Sequence, residues 1–280
     1  MREIAAEAIT GAVREMCLES NLRLPPDVTE AIGAARAAEP WPPARAALAR
    51  LAENAEIAGR EDTPICQDTG LACIFIELGQ DAHVTGGGLY EAVNEGVCQG
   101  YAEGFLRRSV VADPLRRTNT GDNTPAHIQV EITPGDGLAL TVAPKGFGSE
   151  NTGRLAMLSP SAGEKGVKDF VVETVRLAGP NPCPPVVAGV GLGGTFDRVA
   201  LLAKKALLRP LNQPHPDPFY AAMEKELLER INALGIGPQG CGGRATALGV
   251  NIEVFPTHIA GLPVAVNLNC HVSRHVSRRL

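Results

Sequence analysis

The sequence lacks any Cys-x-x-C pair, so neither a zinc knuckle nor a ferredoxin-type cluster is signalled. It also lacks a basic excess. The formal net charge is −5, which argues against a nucleic-acid partner, whose phosphates call for a basic face. No run of about 18 apolar residues occurs, so no membrane-spanning helix is expected. The opening Met1-Arg2-Glu3-Ile4-Ala5-Ala6-Glu7 carries acids where a signal peptide has its basic region and apolar core. A cytoplasmic location is the expectation. In that reducing compartment the seven cysteines are thiols or metal ligands rather than disulfides, and their odd number fits poorly with a complete disulfide framework. There is no internal repeat and no low-complexity segment.

What is present is ordinary for a globular chain of 280 residues, with 44% hydrophobic and 20% charged residues. Helical spacing runs from Ile4 to Leu18, then over Asp27–Ala38 and Ala44–Ala58, each of the latter two preceded by prolines. This predicts a helical N-terminal layer over about residues 1–60. Leu71–Leu78 reads as a buried strand, and Gly86-Gly87-Gly88 opens a helix from Leu89 to about Phe105. Ile128–Ile132 and Leu138–Val142 both alternate, and Thr133-Pro134-Gly135-Asp136-Gly137 between them predicts a β-hairpin. Helices follow over Gly163–Leu177, Thr195–Leu208 and Pro218–Leu234, with strands at Val186–Val190, Leu248–Phe255 and Pro263–Asn269. The expected class is α+β, with mixed sheets, an antiparallel hairpin and surrounding helices, in a single domain over residues 1–280. The locally basic tail, His271–Arg279, reads as a solvated terminus.

Gly189-Val190-Gly191-Leu192-Gly193-Gly194 fits the dinucleotide pattern G-x-G-x-x-G, after a strand and before a helix. A dinucleotide-dependent oxidoreductase is therefore an alternative. Against it, the next helix leads into the proline-rich Arg209–Pro216 and another helix, not into the second strand and acidic residue that a ribose site needs. The glycines could instead let a helix N-terminus approach an anion. Of the cysteines, Cys17, Cys98 and Cys73 sit in helical or strand patterns and read as buried, inert thiols. Cys66, in a polar turn, Cys183, fenced by prolines, and Cys270, after an apolar strand, lie where sites are built. Cys241 is also in a loop and stays open on the residues alone.

Several ordered motifs carry a resemblance over nearly the whole chain. They are Cys66-Gln67-Asp68-Thr69-Gly70, Leu106-Arg107-Arg108-Ser109, Asn119–Ala126, Lys145–Asn151, Cys183-Pro184-Pro185, Gly235–Gly240, and His258 with Leu262–Asn267 and Cys270. In these the sequence resembles the class I fumarases and related tartrate dehydratases, which are oxygen-sensitive [4Fe–4S] hydro-lyases. The resemblance implies Cys66, Cys183 and Cys270 as the three cluster ligands; Cys241 stands where relatives usually carry an apolar residue or glycine. Three thiolates leave one iron open to act as a Lewis acid on the substrate.

The same resemblance implies substrate contacts from Gln67, Asp68, Arg107 and Gly148, with His258 as a further carboxylate contact or polar support. Asp68 is the candidate for orienting the substrate or taking part in proton transfer. Arg107 suits a bidentate carboxylate clamp. Phe147 departs from a commoner glycine. The implied reaction is reversible hydration of fumarate to malate, with dehydration of L-tartrate or a related hydroxydicarboxylate as the alternative. Single-chain relatives continue into a smaller C-terminal domain, so the resemblance also implies a separate β subunit, self-association, and an α₂β₂ assembly. Alone, the chain is expected to hold the cluster and turn over poorly.

Overall fold

In the computed structural model, which describes residues 2–280, the chain opens with strand β1 (Arg2–Ala5) and helices α1 (Ala6–Leu22), α2 (Pro26–Ala38) and α3 (Pro42–Glu61). Strands β2 (Leu71–Gly79) and β3 (Ala82–Thr85), helix α4 (Leu89–Glu103), and strands β4 (His127–Thr133) and β5 (Leu138–Lys145) follow. Next come the short helix α5 (Phe147–Glu150), strand β6 (Arg154–Leu158), helix α6 (Gly163–Ala178), strand β7 (Val186–Gly193), and helices α7 (Phe196–Ala206) and α8 (Pro218–Asn232). Strands β8 (Ala247–Phe255), β9 (Leu262–Asn269) and β10 (Val276–Arg279) close the chain. Helices and mixed sheets make the class α+β, as the sequence predicts. Among the described residues no helix is long and apolar enough to cross a membrane.

The chain divides into two compact units. The first holds residues up to Pro25, Ala55–Phe147 and Arg274–Leu280; the second holds Pro26–Asn54 and Gly148–Ser273. In the first unit β1 and β3 pair in parallel, and a four-stranded sheet runs in the order β10-β5-β2-β4. Its core joins Ile9, Val13 and Met16 of α1, three to four residues apart on one helix face, to Ile74 and Ile76 of β2, Leu140 and Val142 of β5, and Val93 and Val97 of α4. Each such side chain, fully buried, contributes about 1.5–3 kcal/mol.

Two expectations are corrected here. β4 and β5 do not form a hairpin, because β2 lies between them, parallel to β4 and antiparallel to β5. The connecting residues instead wrap the end of β2: Gly79, Gln80 and Asp81 donate their N–H groups to the carbonyls of Gly137, Thr133 and Gly135 at 2.7, 2.8 and 2.9 Å. Crossing two strand spacings takes about 10 Å, within reach of a link this long. The tail is not a solvated terminus either. β10 adds to β5, pairing Val276 with Val142 and Arg278 with Leu140, and Arg278 ion-pairs with Glu15 at 2.5 Å and Glu19 at 2.9 Å of α1.

In the second unit the sheet order is β6-β9-β7-β8, with β7 buried along its whole length, antiparallel to β9 and parallel to β8. Ala188, Val190 and Leu192 face a core shared with Val167, Val171 and Val175 of α6 and Leu227 and Ile231 of α8. The alternate residues of β7, Gly189 and Gly191, face α7. A Cβ on either would lie 2.2 Å from a backbone oxygen of that helix, Ala203 O or Val199 O respectively. The glycines that mimic a dinucleotide fingerprint therefore lie inside a strand and let α7 settle onto it. The N-terminus of α7 is served by its own Asp197, whose carboxylate accepts from Thr195 Oγ1 at 2.6 Å. The parallel partner β8 does exist, reached only after a second helix.

Candidate functional site

The Cys66–Gly70 turn of the first unit is fixed by an unusually full set of hydrogen bonds. The Asp68 N–H donates to Cys66 Sγ at 3.4 Å, and the Cys66 thiol reaches Gln67 Oε1 at 3.4 Å. The Asp68 carboxylate accepts the Gly70 N–H through Oδ1 and the Phe147 N–H through Oδ2, both at 3.1 Å. Tyr101, buried, donates its hydroxyl to Thr69 O at 2.7 Å and Gly70 O at 3.0 Å. Burial raises the Tyr101 pKa, so the phenol stays protonated as a donor. Gly70 has φ +77, and a Cβ there would lie 2.7 Å from Lys145 N, so only glycine fits.

Arg107 is brought to this turn by Thr69. Its N–H donates to Thr69 Oγ1 at 2.8 Å, and the Thr69 hydroxyl lies 3.2 Å from Arg107 O, which leaves the guanidinium side exposed. Asn123, buried and at φ +65, accepts the Ser109 N–H at 2.7 Å and donates to Gly70 O at 3.3 Å. Arg274, also buried, donates from Nη2 to Asp68 O at 2.5 Å. Cys66, Gln67, Asp68 and Arg107 thus share one neighbourhood. Phe147 contributes its N–H to Asp68 while its ring is 47% exposed, so its departure from glycine leaves the backbone contact intact.

In the second unit Cys183 precedes β7 and Cys270 follows β9, and because these strands are antiparallel the two cysteines lie at the same end of the sheet. His271 stitches them: its N–H donates to Cys183 O at 3.3 Å, and its Nδ1 lies 3.0 Å from the same oxygen. Gln239, at φ +53, adds a buckle. Its N–H and its side-chain Nε2 both donate to Pro184 O, at 2.7 and 2.8 Å, with Nε2 3.2 Å from His271 Nδ1. Gly148 borders the Cys183 loop, since a Cβ on it would lie 3.8 Å from Asn181 O, and Cys183 Sγ lies 4.0 Å from that oxygen. His258, exposed, follows β8 and stands at the opposite end of this sheet, about 25 Å away for eight strand residues.

None of the seven cysteines is in a disulfide. Cys17 and Cys73 are buried, and burial pushes the Cys17 thiol up to about 12, which makes it inert. Cys98 is partly exposed rather than buried, with its pKa raised by burial first and then by Asp122 and Glu95. Cys66 and Cys270 are partly exposed, and Cys183 and Cys241 exposed. Among the described residues no three His, Cys, Asp or Glu side chains gather around a single ion. A cluster in which each thiolate binds a different iron needs a wider ligand set than one ion does. Within the first unit the partly open Cys66 thiol with a backbone N–H on its Sγ, and within the second the stitched Cys183–Cys270 pair, are each suited to ligating such a group. Sequence reasoning missed Tyr101, Asn123, Gln239, His271 and Arg274. Asn123 and Gln239 sit inside the motifs, but nothing local marks which polar residue of a motif acts on the backbone.

Comparison with known proteins shows the family. Residues 10–279 match the family model described as fumarate hydratase (Fumerase). A Methanocaldococcus jannaschii protein named "Putative L(+)-tartrate dehydratase subunit alpha" is 41% identical over 278 residues, covering 97% of each chain. The L(+)-tartrate dehydratase subunit alpha of Escherichia coli strain UTI89 is 32% identical over 283 residues, covering 100% of this chain and 93% of its own. That of Escherichia coli K12 is 32% identical over 277 residues, covering 98% and 91%. The chain belongs to the fumarate hydratase (Fumerase) family of hydro-lyases.

Proposed function

We propose that this chain is the α-type subunit of a [4Fe–4S]-dependent hydro-lyase that dehydrates a four-carbon hydroxydicarboxylate, with Cys66, Cys183 and Cys270 as cluster ligands. The observation that most supports the ligand set is the pair of His271 contacts to Cys183 O, which join the Cys183 and Cys270 loops of one unit. When bound, the group supplies an open iron that polarises the substrate's hydroxyl.

The protein's own residues bind and orient. Arg107 offers a planar fork of donors to a substrate carboxylate, in a position set by Thr69. Gln67, exposed beside Cys66, and the Gly148 backbone add contacts. The Asp68 carboxylate is aimed by its bonds to Gly70 and Phe147. Two oxygens offer about four lone-pair sites, so capacity remains for a substrate hydroxyl or the proton beside the second carboxylate. His258 is assigned no contact with a substrate held near the Cys183 and Cys270 of its own chain, because the sheet length separates them.

The relatives' names carry tartrate, so L-tartrate is the first substrate of this proposal. The malate–fumarate pair, first on the motifs alone, is kept as the second reading because the matching family model is described as fumarate hydratase. The relatives are alpha subunits by name, which supports a β subunit that supplies further substrate-binding residues, in a self-associating α₂β₂ complex. The test is anaerobic reconstitution of the co-expressed pair with iron and sulfide, followed by assay on tartrate, malate and fumarate. Dehydration that is lost in Cys66→Ala, Cys183→Ala and Cys270→Ala, together with bound iron, but kept in Cys241→Ser, is the expected result. A wild-type complex that takes up no iron would overturn the proposal.

A further inference from the structure

Arg274 is 4% exposed, and its position is electrostatically incomplete. Its Nη2 donates to Asp68 O, but Nε and Nη1 are buried with no hydrogen-bond partner. Among the described residues it has no carboxylate in ion-pair range. Around it stand the neutral Tyr101 phenol, on which its charge acts, and the Thr69 and Gly70 carbonyls that Tyr101 already holds, while the Asp68 carboxylate is taken up by the Gly70 and Phe147 N–H groups. A guanidinium withdrawn from water with one carbonyl as acceptor is costly, and buried charges are ordinarily paired. Other arginines that ion-pair across this unit, Arg278, Arg23 and Arg14, all have carboxylates. Arg274 stands beside the residue that follows Cys66 and Gln67, so its missing partner is an anion at this turn.

We propose that Arg274 is a positioning residue for the Cys66–Gly70 turn and the counter-charge to the anionic group that Cys66 helps to hold. The inference rests on the reading of the chain as a cluster-bearing hydro-lyase. A cluster ligated by thiolates is net negative, and its reduction potential follows the charges and hydrogen bonds around it. Through Asp68 O the guanidinium also fixes the peptide that carries the Asp68 carboxylate. A purely structural arginine, with Nε and Nη1 satisfied by water, would pin the turn but leave the potential of the bound group unchanged.

The experiment uses the full chain, reconstituted anaerobically with iron and sulfide, as wild type, Arg274→Met and Arg274→Lys. Two quantities are read: the midpoint potential, by redox titration followed by electron paramagnetic resonance, and the rate of iron loss to a chelator. Arg274→Met is expected to move the midpoint to more negative potential, since the buried cation favours the reduced, more negative state. Its iron loss should accelerate on the order of tenfold, the usual effect of removing an outer support. Arg274→Lys keeps the charge and should keep the midpoint near wild type. Wild-type potential in a folded, iron-loaded Arg274→Met chain overturns the proposal. So does a folded Arg274→Lys chain with a displaced midpoint, which carries the test alone if Arg274→Met does not fold. A wild-type chain that takes up no iron overturns the hydro-lyase reading itself, and this inference with it.

Discussion

Asp68 Oδ2 accepts the N–H of Phe147, 79 positions further along the chain, at 3.1 Å, while Oδ1 accepts that of Gly70. The carboxylate thus ties the Cys66 turn to the start of the Lys145–Asn151 motif. Asn at this position has one acceptor oxygen, so Asp68→Asn must turn an NH₂ group toward one of the two N–H donors. The lost bond should destabilise the chain by about 1–3 kcal/mol, read as a lower urea midpoint. On the proposed function kcat should fall by about 100-fold or more, the scale of a misplaced acid–base group. A complex of Asp68→Asn with near-normal turnover would remove Asp68 from the chemistry.

Glu39 gives a pH dependence of known sign. It is buried between α2 and α3, and its carboxylate accepts the N–H groups of Trp41 at 3.1 Å, Arg244 at 2.8 Å and Ala245 at 3.1 Å. Desolvation pushes its pKa up, but these bonds and the Arg244 charge outweigh it, so the net shift is downward. A carboxylate depressed in the folded state stabilises it above the unfolded value of about 4.3. That contribution is lost as the pH falls through the lower, folded value. Trp41, the single tryptophan, bonds through Nε1 to Cys241 O at 3.1 Å and reports on the same loop. Its fluorescence should show a transition on the acid side of that value, absent in Glu39→Gln. An unchanged acid profile in that variant would contradict the assignment.

The glycines of β7 make a third prediction, which also separates an enzyme of this family from a dinucleotide enzyme. A methyl at Gly191 would meet Val199 O at 2.2 Å and Ala203 N at 2.7 Å, backbone atoms that cannot rotate away. Gly191→Ala should therefore destabilise the second unit by about 3 kcal/mol, the upper end for overpacking, measured by chemical denaturation. NAD should bind neither wild type nor variant. Stoichiometric NAD binding by the wild type would revive the oxidoreductase reading.

Element type was legible where one local signal sufficed. The run Leu71–Leu78 became the central β2, and the helical spacing of α2, α3, α6 and α8 held to within a few residues. Pairing was not legible, because it is non-local: alternation in β4 and β5 marks two strands but says nothing of a third entering between them. The Val276–Arg279 strand carries a single apolar residue, so it reads as a basic tail until β5 is present to receive it. The site shows the same division. The residues alone left Cys66, Cys183, Cys270 and Cys241 open; the motif resemblance separated three from the fourth. The backbone donors that arrange the turn and the Cys183 loop, from Phe147, His271 and Gln239, are visible only in the fold.

Gln239 allows the second-unit members of the proposed ligand set to be tested without touching a thiol. Its backbone stands at φ +53, ψ 22, a conformation that glycine adopts at no steric cost. Gln239→Gly therefore relieves the main chain while deleting the amide that donates to Pro184 O at 2.8 Å and approaches His271 Nδ1 at 3.2 Å. The two effects on stability oppose each other, and the unfolding midpoint should move little, within about 1 kcal/mol. The Cys183 loop, however, loses one of its ties to the residue after Cys270, the one that runs through the Gln239 amide. On the proposed ligand set, iron should leave the variant on the order of tenfold faster than wild type in the presence of a chelator. Unchanged iron retention in a folded Gln239→Gly chain would mean that the Pro184 tie does not serve the ligand loops, and that the bonds between His271 and Cys183 hold them unaided.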